Sequence, residues 1–219
     1  FNIPFLSLPV TTKPEVALDV FIKMNTSSSP LTPYDIVVAQ IEAASGKSLH
    51  GYIEELKQDV PNFSRYSEPE DVVLAVAALL NNKLPSKETY LSKDFSESFD
   101  VSWPSIKQGI KKAISFLIDE KILDYRRLPT DVVVYVLSAL WSRSEEGLDK
   151  EGEVRIILRK YLWRSFFTDR YDRTTTSRAF SDYKEITNLL KDNSGEPDIF
   201  NETIYPIPSE EELKASSWP

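Results

Sequence analysis

Two stretches of the chain carry side chains that could do chemistry, and both point to recognition of an anion. The first stretch holds Asn25, Thr26, Ser27 and Ser28 just before a predicted helix. A hydroxyl-rich loop beside a helix N-terminus can donate hydrogen bonds to a phosphate group. The same residue types are also ordinary turn and cap formers, so the residues alone leave a structural role open.

The second stretch, residues 155–178, contains seven basic residues and two acidic ones, with aromatic residues interleaved among them. This mixture can contact phosphates and stack on bases. Its candidate nucleic-acid contacts are Arg164, Arg170, Tyr171, Arg173 and Arg178.

Helical spacing in the same stretch supports a competing, structural interpretation. On a helix, Leu158 and Tyr161 lie on one apolar face. Trp163 and Phe167 lie with Ile156 on a second, nearly opposite face. A helix that is buried on two sides mainly serves packing, and its arginines often pair with acidic residues.

Other kinds of chemistry are excluded by composition. The chain has no cysteine, so disulfides, thiolate catalysis and cysteine-based zinc sites are absent. Its single histidine, His50, has no partner for a paired-histidine metal centre, and no Gly-x-Ser-x-Gly elbow or glycine-rich phosphate loop occurs. We predict that His50 is a surface or capping residue, and that the chain contains neither a catalytic residue nor a metal site.

The elements that must position these stretches are helices. We predict a mainly α-helical, bundle-like domain of about eight helices, with at most one or two short strands at the N-terminus. Prolines confine any such strand to an edge. The predicted helices are one opened by Pro14, one capped by Thr32, and those at residues 49–60, 70–80, 105–122, 131–141, 153–167 and 174–192.

Composition bounds the class of protein. With 219 residues, of which 41% are hydrophobic and 11% aromatic, the chain can bury a substantial core. Its net charge of −8 disfavours generic binding to polyanions. No apolar run approaches the roughly 20 residues of a membrane span, and no signal peptide is present, so we predict a cytoplasmic protein. Because no initiator Met is present, we expect the chain to be the middle of a longer protein.

Two strings of residues carry a resemblance to a known family. The first contains Phe21, Asn25, small residues at 27–29, Pro30, Leu31, Thr32 and Asp35. It resembles the segment that follows the nucleotidase motif in GmrSD-type, NTP-dependent restriction endonucleases. The second runs from Trp163 to Tyr171 and continues to Ser177 and Asp182. It is similar to a later part of the same region of that family.

The resemblance implies that residues 1–45 are the tail end of a ParB/sulfiredoxin-like nucleotidase domain. Residues 46–192 would then be a helical domain, and residues 193–219 an acidic, proline-containing linker or extension. Asn25 and its loop would complete a nucleotide site. The segment 164–178 would contact DNA or an adjacent nuclease domain.

The resemblance also implies which functions belong to the full-length protein and which to this chain. The full-length protein, a phage-defence enzyme, would hold the NTP and a divalent cation, and could form oligomers. The family's Asp-Gly-Gln-Gln-Arg hydrolytic stretch is absent from this chain, which would therefore have no cofactor and no activity of its own. The alternative is a helical scaffold or adaptor that binds protein partners without any nucleotide or nucleic acid.

Overall fold

A computed structural model describes residues 9, 11–13, 16–17, 20, 32–128, 130–144, 148–192 and 194–215. Within these residues the chain forms nine α-helices and three short 3-10 helices, and no strand. The predicted all-α class is therefore confirmed. Most of the predicted N-terminal arm and of the helix opened by Pro14 lies outside the described residues.

The α-helices are α1 (Pro33–Ser45), α2 (Leu49–Asp59), α3 (Pro69–Leu80), α4 (Lys87–Tyr90), α5 (Lys93–Asp119), α6 (Val132–Ser142), α7 (Leu148–Phe167), α8 (Thr175–Asp192) and α9 (Glu210–Ala215). The 3-10 helices are Phe63–Arg65, Tyr125–Arg127 and Asp198–Phe200. Among the helices of the described ranges, none combines the length and the apolar character needed to cross a membrane.

The start of α1 is fixed by local chemistry. The Thr32 hydroxyl accepts a hydrogen bond from the backbone N–H of Asp35 at 3.2 Å, and the Asp35 carboxylate accepts one from the Thr32 N–H at 2.7 Å. This reciprocal pair is a capping box, and Pro33 occupies the first helical turn. The predicted helix start is confirmed.

Helix α6 lies at the centre of the fold. It packs against α5, α3 and α8, and α5 also packs against α1 and α3. The approach of α5 to α6 is closest at Gly109, where an added Cβ would lie 2.2 Å from the Ser138 carbonyl oxygen. The Ser142 hydroxyl oxygen lies 2.8 Å from the carbonyl oxygens of both Ser105 and Ser138. Glycine at 109 therefore permits this near-contact of backbones.

Two helices begin earlier than the sequence predicts. Helix α5 begins at Lys93 instead of residue 105 and continues through Pro104. Phe95, Phe99 and Trp103, spaced four residues apart, are all buried, so their packing outweighs the cost of the proline. Helix α7 begins at Leu148 instead of residue 153.

Candidate interaction site on α7, α8 and the C-terminal segment

A buried ion pair joins the segment after α7 to α8. The Arg170 guanidinium donates to the Asp182 carboxylate, with Nη2 2.5 Å and Nε 3.1 Å from Oδ1. Arg170 is 3% exposed and Asp182 is fully buried. Burial alone would lower the pKa of Arg170, but the hydrogen bonds and charge of Asp182 raise it above its ordinary value. Burial raises the pKa of Asp182, and Arg170 opposes that rise. Each member of the pair thus offsets part of the cost of burying the other.

Two phenols extend this pair into a network. The Tyr171 hydroxyl donates to Asp182 Oδ2 at 2.6 Å, and the Tyr161 hydroxyl oxygen lies 2.6 Å from that of Tyr171. Burial raises the pKa of both phenols well above the ordinary value. The phenols therefore stay protonated and act as hydrogen-bond donors within a closed, satisfied network.

Residues 197–205, here named the C-terminal strap, cover this network. Ile199 and Phe200 of the strap are buried. Arg164 donates through Nε to the Ile199 carbonyl and through Nη2 to the Tyr205 carbonyl, the latter at 2.5 Å. The Tyr205 hydroxyl oxygen lies 2.6 Å from Arg170 Nη1. Two buried arginines therefore hold the strap against α7.

The five candidate nucleic-acid residues are thus placed in different environments. Arg164, Arg170 and Tyr171 are buried in the network and the strap contacts. Arg178 is half-buried and donates to the backbone carbonyl of Asp169 at 3.1 Å. Arg173 is exposed. This geometry favours the packing interpretation of the basic stretch, while a phosphate contact stays a prediction.

The outward face of α7 carries a shallow groove of about 380 Å³ that the sequence did not predict. Ile156, Lys160, Trp163 and Phe167 of α7 line it, together with Ile207. Ile156 is 69% exposed, so the prediction that this helix is buried on two sides is wrong at this residue. Helical spacing did predict that Ile156, Trp163 and Phe167 share this face, and Lys160 continues the same stripe; the exposure of the face is what the sequence did not predict.

Ion pairs surround the groove. Arg159 contacts the Glu120 carboxylate at 2.6 Å, and Arg155 pairs with Asp119. Lys160 lies 4.5 Å from the centroid of the Phe200 ring. Because acidic residues of the chain neutralise these arginines locally, little uncompensated positive charge faces solvent here.

The other predicted site residues lie outside the described residues or on the surface. Asn25, Thr26, Ser27 and Ser28 lie outside the described residues. His50 is exposed, as predicted for a surface residue, and its ring centroid lies 6.0 Å from that of Tyr34. Across the part of the chain that the structure describes, no group of three or more histidine, aspartate or glutamate residues could hold a metal ion.

Comparison with known proteins identifies one distant relative. The chain is 24% identical over 205 residues to an uncharacterized protein of Methanocaldococcus jannaschii. The match covers 89% of this chain and 34% of that protein, so the chain spans about a third of the relative's length. No family model matches the chain, and no solved structure matches it.

Proposed function

We propose that this chain is a non-catalytic helical part of a larger, GmrSD-type, NTP-dependent restriction protein. In this role it completes one wall of a nucleotide site through Asn25 and its loop. Its α7 region contacts DNA or an adjacent domain of the same protein. The hydrolytic and nuclease chemistry belongs to other parts of the full-length protein.

The observation that carries this proposal is the meeting of Arg170, Tyr171 and Asp182 in one buried network. These residues belong to the second string on which the resemblance to the family rests. Their role is architectural, because they fix the segment after α7 and the C-terminal strap to α8. We base the proposal on this network because its members are residues of the second string, to which it gives a shared structural role.

The nucleotide part of the proposal is tested in the full-length protein. We expect Asn25→Ala to lower NTP turnover at least about tenfold, the effect of losing one hydrogen bond to a charged group. Asn62→Ala is the matched control, because Asn62 is exposed and its side chain caps nothing. Turnover that is unaffected by Asn25→Ala, or robust turnover by residues 1–219 alone, would contradict the proposal.

A second candidate function, that of an adaptor for protein partners, is favoured by the groove on α7. Its exposed lining surface is mostly apolar, and the two arginines that line it are paired, Arg159 with Glu120 and Arg164 with Glu202. The double variant Lys160→Glu with Arg173→Glu reverses exposed charge without touching the buried network. Weaker, strongly salt-dependent DNA binding by this variant would support the DNA contact. Unchanged DNA binding, together with loss of a protein partner in Trp163→Ala, would favour the adaptor.

A further inference from the structure

An acidic segment of the chain lies over part of its basic stretch. Residues 196–212 contain six acidic residues and no basic one, whereas residues 155–178 contain seven basic residues. Within the acidic segment, the strap contacts four of the seven basic side chains, which are Lys160, Arg164, Arg170 and Arg178. The strap therefore covers cations that could otherwise contact a polyanion.

Three of these cations meet at a single residue of the strap, Tyr205. Arg164 donates to its carbonyl oxygen at 2.5 Å, and Arg170 donates to its hydroxyl oxygen at 2.6 Å. The guanidinium carbons of Arg170 and Arg178 lie 4.8 Å and 5.8 Å from the centroid of its ring. An uncharged residue thus lies among three cations, where an anion would be bound more strongly.

Two of the three arginines have no buried counter-ion. Arg170 is paired with the buried Asp182. The carboxylate beside Arg164 is that of Glu202, which lies 3.6 Å away and whose side chain is 80% exposed. Arg178 donates to two backbone carbonyls, and no carboxylate of the described residues pairs with it. Arg164 and Arg178 can therefore exchange their present acceptors for the oxygens of a phosphate group.

The half of the strap that carries Tyr205 is hydrogen-bonded largely to itself. The side-chain oxygen of Asn201 accepts from the backbone N–H groups of Thr203 and Ile204. The Tyr205 N–H donates to the Asn201 carbonyl oxygen at 2.9 Å. The first half is anchored instead, because the 3-10 helix Asp198–Phe200 packs against α7 and α8. The second half can therefore swing outward with its internal hydrogen bonds intact.

We propose that residues 201–205, here named the Tyr205 turn, are an autoinhibitory element that blocks a phosphate-binding face of the α7 region. When the turn swings outward, Arg164 and Arg178 donate to oxygens of the DNA backbone instead of to the strap. Guanidinium groups suit this exchange, since they donate several hydrogen bonds to one anion. DNA binding is weak while the turn is closed, because only the open fraction binds. This inference rests on the DNA contact proposed above and adds its regulation.

The test compares DNA binding by the 219-residue chain and by its Tyr205→Ala variant. Fluorescence anisotropy with a short labelled duplex is measured at several salt concentrations. Tyr205→Ala removes the ring and the hydroxyl that hold the turn, so we expect affinity to rise about tenfold, the effect of one hydrogen bond to a charged group. The slope of log affinity against log salt should steepen by about 2, since each new phosphate contact adds about 0.9.

Two further variants make the test specific. Tyr125→Ala is the matched control, because Tyr125 is an exposed tyrosine that contacts Arg126 and lies outside the strap. It should leave both affinity and slope unchanged. Tyr205→Ala combined with Arg178→Gln should lose most of the gain in affinity, and about half of the added slope, because one of the two uncovered arginines is gone.

The outcomes separate this inference from the proposed function. Salt-dependent DNA binding that is equal in the wild type and Tyr205→Ala would overturn the inference and leave the DNA contact standing. No DNA binding by either would overturn both. An equal gain in the binding of polyglutamate would also overturn the inference, since the face would then fit an acidic protein.

Far-UV circular dichroism of each variant separates an opened turn from a lost fold. If Tyr205→Ala does not fold, Glu202→Gln replaces it, because this exposed side chain holds the turn to Arg164. Glu211→Gln is then the charge-matched control, since Glu211 is an exposed acid of the same segment outside the strap. Glu202→Gln should bind DNA more tightly than Glu211→Gln, and equal affinities would overturn the inference.

Discussion

The contact of α5 with α6, and the contact of α8 with the end of α7 and the residues that follow it (here named the α7–α8 junction), are held together by opposite means. Between α5 and α6 the buried side chains are mostly apolar, apart from the serines at 138 and 142, and the backbones approach closely at Gly109. Between α7, α8 and the strap, the contact is built around two buried arginines and the carboxylate of Asp182. One junction depends on shape, and the other depends on matched charge and hydrogen bonds.

The difference decides how each junction fails. A truncated apolar side chain leaves a void whose cost grows with its volume. A truncated partner of a buried ion pair leaves a charge with neither water nor a counter-ion. We therefore expect the α7–α8 junction to tolerate paired substitutions better than single ones, whereas the α5–α6 junction tolerates few changes in volume.

The largest effect is expected from Asp182→Ala. It leaves the guanidinium of Arg170 buried and unpaired, and removes the acceptor of the Tyr171 hydroxyl. We expect the free energy of unfolding to fall by about 3–5 kcal/mol, measured by urea denaturation. The strap should become sensitive to proteases in the same variant, because Arg170 also binds Tyr205.

The double variant Arg170→Met with Asp182→Leu sharpens this result. It replaces the ion pair with apolar side chains, so no charge stays buried without a partner. We expect it to be clearly more stable than Asp182→Ala alone, as the desolvation cost of both ions disappears. A double variant as unstable as the single one would show that Arg170 acts mainly through the strap.

Gly109→Ala probes the other junction. The new Cβ would lie 2.0 Å from the Ser142 hydroxyl oxygen and 2.2 Å from the Ser138 carbonyl oxygen, so α5 and α6 would have to separate. We expect a loss of about 3 kcal/mol in the free energy of unfolding, at the upper end of overpacking.

Gly152→Ala is the matched control, because nothing lies within 4 Å of its Cβ position. That helical substitution should be neutral or stabilising by up to about 1 kcal/mol. Equal effects of the two would refute the close-packing interpretation.

Local signals made the helices predictable, and long-range contacts made the rest unpredictable. The starts of α1 and α3 follow from Thr32, Pro33 and Pro69, whose effects reach only one turn. The extension of α5 across Pro104 depends on what Trp103 and its neighbours pack against, which no local pattern reveals.

The candidate site shows the same limit. A stretch rich in arginine is equally suited to phosphates and to internal acids, so its sequence left both interpretations open. The sequence identified Asp182 as part of a family-like string, but it did not predict that Asp182 pairs with Arg170, twelve residues away. The strap was predicted as a linker or extension, because its buried residues are flanked by prolines and acids.

A smaller effect is expected at the start of α1. Thr32→Ala removes the hydroxyl that accepts from the Asp35 N–H, while leaving the exposed surface otherwise intact. We expect a loss of about 1 kcal/mol, the usual value for an N-cap. Amide hydrogen exchange should accelerate in the first turn of α1 and not in α6. Acceleration throughout the core would show instead that α1 and α6 unfold together.

The smallest effect is expected at Glu55, where a half-exposed network of charges joins α2 to α5. Hydrogen bonds from Lys107 at 2.7 Å and from Lys47 at 2.5 Å lower the pKa of Glu55 from 4.5 to about 2. A carboxyl with a lowered pKa in the folded state stabilises the fold above pH 4.5, and this contribution is lost as the pH falls towards 2. In Glu55→Gln the urea midpoint should therefore fall less steeply over that interval than in the wild type.

Glu54→Gln, on the exposed side of α2, should keep the wild-type slope. Because solvent screens Glu55, the change in stability should be far smaller than that caused by Asp182→Ala. Curves of urea midpoint against pH that run parallel for Glu55→Gln and the wild type would show that the network adds no stability.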